Sequence, residues 1–137
     1  MNFSFNADNI NFGGVRDSRA EYEFFVVLRE RGLTRGLLLN ELVLFPSWIQ
    51  NDYHVHGYCV PDGQWKQLKL CYFLDGVQVH KSPAKREKDE RVQCALESIG
   101  WTVYRFRYCP PISVKALVTF AQEIQKTINE LSTKNLG

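Results

Sequence analysis

A chain of 137 residues and 15.9 kDa, 45% apolar and 23% charged, can bury one hydrophobic core and is too short for two. This composition excludes disorder, collagen-like repeats and a disulfide scaffold, and its longest apolar runs, such as Leu37-Leu38-Leu39, fall far short of the ~20 residues that span a bilayer. The net charge of +2 does not by itself announce a nucleic-acid partner.

Residues 1–16 read as an N-terminal extension and 17–137 as one domain. The opening Met1-Asn2-Phe3-Ser4-Phe5-Asn6 has neither a basic region nor an apolar core with a small-residue cleavage site, so the expected location is cytoplasmic. The spacing of Glu21, Phe24, Phe25 and Leu28 predicts a helix from Asp17 to Arg31, stopped by Gly32. Leu42-Val43-Leu44-Phe45 reads either as a short strand or as a helical extension from Leu37, and Pro46 ends it in both cases. Two strands follow, His54 to Trp65 and Leu68 to Asp75, joined by the polar Lys66-Gln67.

Beyond a loop at Ser82-Pro83, a helix from Lys85 to Ile99 sets Asp89, Val92, Leu96 and Ile99 on one stripe. Gly100 ends it, and Trp101 to Tyr108 alternates as another strand. After Pro110-Pro111 a last helix runs from Ser113 to about Leu131, with Leu117, Phe120, Ile124, Ile128 and Leu131 inward. Helix, strands, helix, strand, helix is the order of an α/β sandwich around a small mixed sheet flanked by helices. Cys59, Cys71, Cys94 and Cys109 lie far apart with no C-x-x-C pair, which predicts reduced core thiols over a disulfide framework or zinc knuckle, although His56 and Cys59 could clip a metal.

Acids and one histidine stand at element ends or on inward faces: Glu21, Asp62, Asp75, His80 and Asp89. Hard oxygen donors of this kind suit Mg²⁺, with Mn²⁺ as a substitute, and a nearby imidazole can shuttle a proton. Together they fit metal-assisted hydrolysis of a phosphodiester. Each has a plainer reading as well. Ser18-Arg19-Ala20-Glu21 matches a capping box, Asp62-Gly63 and Asp75-Gly76 match turn dipeptides, His80 could be a surface residue, and Asp89 a charge favoured at a helix start. Between Lys81 and Arg107 seven basic residues stand against four acidic ones. Lys81, Lys85, Arg86, Lys88 and Arg91 are therefore the candidate contacts to nucleic-acid phosphates.

In order, Pro61-Asp62, Cys71-Tyr72-Phe73-Leu74-Asp75-Gly76, His80, Asp89-x-Arg91, Leu96 and Gly100-Trp101-x-Val103-x-Arg105-Phe106 resemble the PD-(D/E)XK nuclease superfamily. Within it the sequence is most similar to the very-short-patch-repair endonucleases and to homing endonucleases with a Glu-Asp-x-His-Asp set. The likeness spans Glu21 to Tyr108. It implies a restriction-endonuclease-like fold, a Mg²⁺-dependent DNA endonuclease, and a metal held by Asp62, Asp75 and the Leu74 carbonyl. Proton transfer would fall to His80, support of that region to Asp89, and a metal-bound water to Glu21. For Asp62 to face Asp75 across a hairpin, the hairpin's centre must fall between Leu68 and Lys69.

The signature lysine is absent, since Asp75-Gly76 is followed by Val77, so its proton-handling role would pass to His80 or Lys81. The aromatic wedge and zinc cysteines that repair endonucleases of this type carry near the histidine are absent too; Gln78-Val79 precede His80. No preference for mismatched DNA is expected. Beside DNA, a second copy or a specificity-providing protein is the expected partner, and the alternative function is a catalytically inactive DNA-binding or assembly subunit on the same fold.

Overall fold

The computed structural model describes residues 18–77 and 82–136. The N-terminal extension, His80 and Lys81 lie outside the described residues, as do Gln78 and Val79. The chain is mixed α/β, with helices α1 (Ser18–Glu30), α2 (Ser47–Tyr53), α3 (Pro83–Ser98) and α4 (Val114–Leu136). The strands are β1 (Leu37–Leu39), β2 (Val43–Leu44), β3 (Tyr58–Cys59), β4 (Gly63–Trp65), β5 (Leu70–Gly76) and β6 (Thr102–Tyr108). Four strands form one sheet in the order β1-β4-β5-β6, and β2 pairs with β3 in a separate ribbon. Two compact units share the chain. Among the described residues one contains 18–35, 74–77 and 107–136, and the other 36–73 and 82–106.

In the first unit α1 packs along α4. Glu21, Phe24, Phe25 and Leu28 are all buried, as their spacing predicts, and Phe24 meets Phe120 edge to face at 6.3 Å. Gly32 adopts the left-handed conformation (φ 71°) that a side chain would disfavour. Its N–H reaches the Arg29 carbonyl and the Leu33 N–H reaches Leu28, so two terminal carbonyls are satisfied while Leu33 and Leu28 are both buried. Ser113 caps α4, its Oγ accepting from the Ala116 N–H at 3.0 Å. The helix continues to Leu136, beyond the expected Leu131.

In the second unit Val43, Phe45, Ile49, Cys59, Cys71, Ala95, Leu96 and Trp101 form a buried hydrophobic cluster. The helix α3 starts at Pro83, two residues before the expected Lys85, because Ser82 supplies the cap and Pro83 tolerates a first-turn position with no N–H to spare: Ser82 Oγ accepts from the Lys85 N–H at 3.2 Å. The single long strand expected from His54 to Trp65 is not present. Pro46 opens the short helix α2, where only Ile49 is buried, and Tyr58–Cys59 then turns to pair with β2. Only Gly63–Trp65 joins the larger sheet. Leu37–Leu39, read as a possible helical extension, is instead the antiparallel edge strand against β4.

Gly63 is the reason the sheet can close as it does. It pairs with Tyr72 on β5, and a methyl group in its place would collide with the edge and hydroxyl of that tyrosine ring. Tyr72 is 1% exposed and packs against Trp65 and Phe106 at ring distances of 5.9 and 6.4 Å, so it has nowhere to retreat. Gly63→Ala is accordingly expected to cost about 1–3 kcal/mol through overpacking. Urea denaturation of the two proteins checks this; a variant within about 0.3 kcal/mol of the parent would contradict the packing argument.

Candidate active site

Asp62 lies at the entry to β4, not at a hairpin tip. The tip is the 3-10 turn Lys66–Leu68 with Lys69 left-handed at its end (φ 51°), where the Lys69 N–H closes on the Lys66 carbonyl at 3.1 Å. The Asp62 backbone is held on both sides. Its N–H donates to the Tyr72 carbonyl at 3.0 Å, and its carbonyl accepts from the Asn40 N–H at 3.3 Å. Since Gly63 also pairs with Tyr72, two residues oppose one, which is the geometry of a β-bulge. Pro61, fully buried, precedes it, and Asp62 itself is 6% exposed. A carboxylate that deep is tolerated only where polar groups or a cation compensate its lost hydration.

The expected register is corrected by this turn. The hairpin is centred between Gln67 and Leu68, and the bulge sets Asp62 together with Gly63 opposite Tyr72, not opposite Asp75. Asp75 and Leu74 are half-buried on the final residues of β5.

Glu21 is 7% exposed on the first turn of α1, on the helix's buried stripe and not in solvent. Its capping alternative depends on Ser18, whose side chain is outside the described set. Glu21, Leu74 and Asp75 belong to one unit, Asp62 and Asp89 to the other. Among the described residues no group of three or more His, Cys, Asp and Glu side chains could hold a metal ion, so His56 and Cys59 gain no third ligand of these types.

Asp89 is in the second turn of α3, because the helix begins at Pro83; the helix-start reading of its charge therefore falls away. Its Oδ2 lies 3.9 Å from Nη1 of Arg105, whose side chain is only 12% exposed and whose guanidinium lies 4.3 Å from the centre of the Phe73 ring. An ion pair stacked on an aromatic face is the arrangement that lets arginine remain charged in a largely dry place. Of the candidate phosphate contacts, Lys85, Arg86 and Lys88 are exposed. Arg91 is half-buried, 3.9 Å from Glu87 one turn earlier, and its Nε is buried with no hydrogen-bond acceptor.

In the sequence Arg105 belongs to the basic stretch and to the motif Gly100-Trp101-x-Val103-x-Arg105-Phe106, neither of which assigns it a partner. Its stacking on Phe73 was foreshadowed by the alternation in both strands: Cys71, Phe73 and Asp75 share one face of β5, and Val103, Arg105 and Arg107 one face of β6.

All four cysteines are free, but only Cys59 and Cys71 are core thiols; Cys94 and Cys109 are exposed. Burial pushes the Cys59 thiol up from 9.0 to about 12, against the opposing pull of the Arg105 charge. Burial, and then its neighbour Cys59, push Cys71 above the ordinary thiol range, again with Arg105 opposing. Comparison of the chain with protein-family models, curated proteins and solved structures finds no match.

Two outcomes are expected of the thiols. In the native protein Cys94 and Cys109 should react with a thiol reagent, and Cys59 and Cys71 only after denaturation. The unfolded chain ionises its thiols near 9.0 while folded Cys59 resists to about 12, so protons are lost on unfolding and stability must fall as pH rises across that window. Urea midpoints from about pH 8 to about pH 10 should drop less steeply in Cys59→Ala than in the parent, by at most about 1.4 kcal/mol per pH unit. Equal slopes would mean that Cys59 ionises as freely folded as unfolded.

Proposed function

We propose that this protein is a metal-dependent DNA endonuclease of the PD-(D/E)XK type, with a restriction-endonuclease-like fold. The observation that carries the reading is the position of Asp62: a buried carboxylate clamped on both backbone sides at a β-bulge, in the sequence order that the superfamily resemblance assigns to a metal ligand. A helix bearing a buried glutamate, antiparallel strands carrying the two aspartates, a helix and a further strand follow in the order such a fold requires. Asp62 is the ligand that this observation supports, and the resemblance adds Asp75 and the Leu74 carbonyl to the set. Two carboxylates and one carbonyl suit Mg²⁺ or Mn²⁺, which keep several waters and need no larger protein cage.

When bound, the cation supplies charge stabilisation at the phosphoryl oxygens and a more acidic water. Glu21 would hold the attacking water by accepting its hydrogen bond. His80 moves the proton: water adds to phosphorus, the bond from phosphorus to the leaving oxygen breaks, and that oxygen takes up a proton. Asp89 keeps Arg105 in place beneath the α3 stripe. The exposed Lys85, Arg86 and Lys88, with Lys81, meet backbone phosphates without reading sequence. A second copy or a partner protein supplies specificity.

Nicking of supercoiled plasmid by the purified chain tests the reading. Activity is expected with Mg²⁺ or Mn²⁺ and none with EDTA. Asp62→Asn should abolish it, and His80→Ala should lower turnover by ~10² to 10⁴ with metal affinity little changed. DNA bound but never cut in either metal would replace the nuclease with the inactive DNA-binding subunit. Matched and T·G-containing duplexes should be cut within about tenfold of each other, ~1.4 kcal/mol. A larger preference would require a wedge side chain, of the kind that prises base steps apart, elsewhere in the chain.

A further inference from the structure

The strand β6 runs parallel to β5. The Thr102 N–H donates to the Lys69 carbonyl at 2.8 Å and the Val77 N–H to the Tyr108 carbonyl at 2.7 Å. In a parallel ladder the first bond sets Leu70 beside Thr102 and the second sets Gly76 beside Tyr108, with no slip between them. The same register sets Phe73 beside Arg105, and those two side chains do stack at 4.3 Å.

One pleat further along, on the same face, Asp75 stands beside Arg107, at the spacing of about 4.8 Å between neighbouring strands. Arg107 is exposed, although Phe106 and Tyr108 on either side of it are buried. Among the described residues no ion pair includes it.

In the signature that this chain resembles, a lysine follows the second acid by two residues; here that seat is Val77, 51% exposed and unable to carry charge. Period-two alternation puts Val77 on the face that Asp75 and Arg107 share. The cation missing from β5 is thus offered by β6. We propose that Arg107 binds the phosphate group of the nucleic-acid substrate next to Asp75, replacing the absent lysine from the adjoining strand. The inference rests on the nuclease reading of Asp75. A guanidinium suits the task because it stays charged at any working pH and can donate two parallel hydrogen bonds to the non-bridging oxygens of one phosphate. It cannot give up a proton, so proton transfer stays with His80.

The test uses the full chain, Arg107→Ala, Arg107→Lys and the surface control Lys115→Ala. Two readouts are taken: single-turnover cleavage of a labelled duplex in Mg²⁺, and duplex binding by fluorescence anisotropy in EDTA across a range of NaCl concentrations. Arg107→Ala should slow cleavage ~10²-fold and reduce the slope of log affinity against log salt by about one, since one phosphate contact is lost. Arg107→Lys should recover most of the slope but only part of the rate, and Lys115→Ala should change neither. If the parent cleaves and Arg107→Ala matches it in rate and slope, the inference is overturned and the nuclease reading stands. If the parent does not cleave in any metal, the nuclease reading fails; the phosphate contact survives if the slope still falls in Arg107→Ala, and fails with it if the slope is unchanged.

Discussion

A tyrosine ring lying against bare backbone sets the geometry of the larger sheet. Because Gly63 has no side chain, Tyr72 can lie across β4, fill the space between Trp65 and Phe106, and still use its carbonyl to hold the Asp62 N–H. Packing and hydrogen bonding therefore act at one point. The ring fixes where the strands meet, the bulge absorbs the odd residue, and Asp62 is held without freedom of its own. An aspartate placed by a loop would lose such precision with every fluctuation of the loop. Here the backbone on either side of the carboxylate is hydrogen-bonded to two different strand segments, at Asn40 and at Tyr72.

The charge distribution follows a second constraint, that a cation inside a sheet needs both a partner and a surface to lie on. Arg105 has Asp89 for the first and Phe73 for the second. Its charge also reaches Cys59 and Cys71, where it opposes the much larger effect of burial. Arg107, two residues on, lies on the same face of the strand but is exposed. The same alternation thus yields one arginine committed to the protein and one available to a ligand.

Much of this was legible in the sequence where a period had room to show itself. The stripe of Glu21, Phe24, Phe25 and Leu28 revealed α1 and its buried acid, and the stripe through Asp89 and Leu96 revealed α3. Seven residues from Ser47 to Tyr53 are too few for such a stripe: α2 buries Ile49 alone, and only the Pro46-Ser47 start distinguishes it from the strand that had been expected a few residues on. The three-residue strands β1 and β4 are specified by their partners, not by their own alternation. At Asp62 the sequence offered two meanings for Asp-Gly, and taken alone the dipeptide favours a turn. What decided between them was distant in sequence: the Tyr72 ring, which only a glycine could admit. The turn also extends past the expected Lys66-Gln67 to a left-handed Lys69, which carries no signature of its own in the sequence.

The proposal turns on whether the buried Asp62 carboxylate binds a divalent cation. Crystals grown or soaked with Mn²⁺, measured at a wavelength where manganese scatters anomalously, test it without depending on activity. One strong anomalous peak is expected, with the Asp62 carboxylate within about 2.0 to 2.6 Å of it. A peak at another set of residues, or none at Asp62 at a Mn²⁺ concentration that saturates any cleavage, would contradict it.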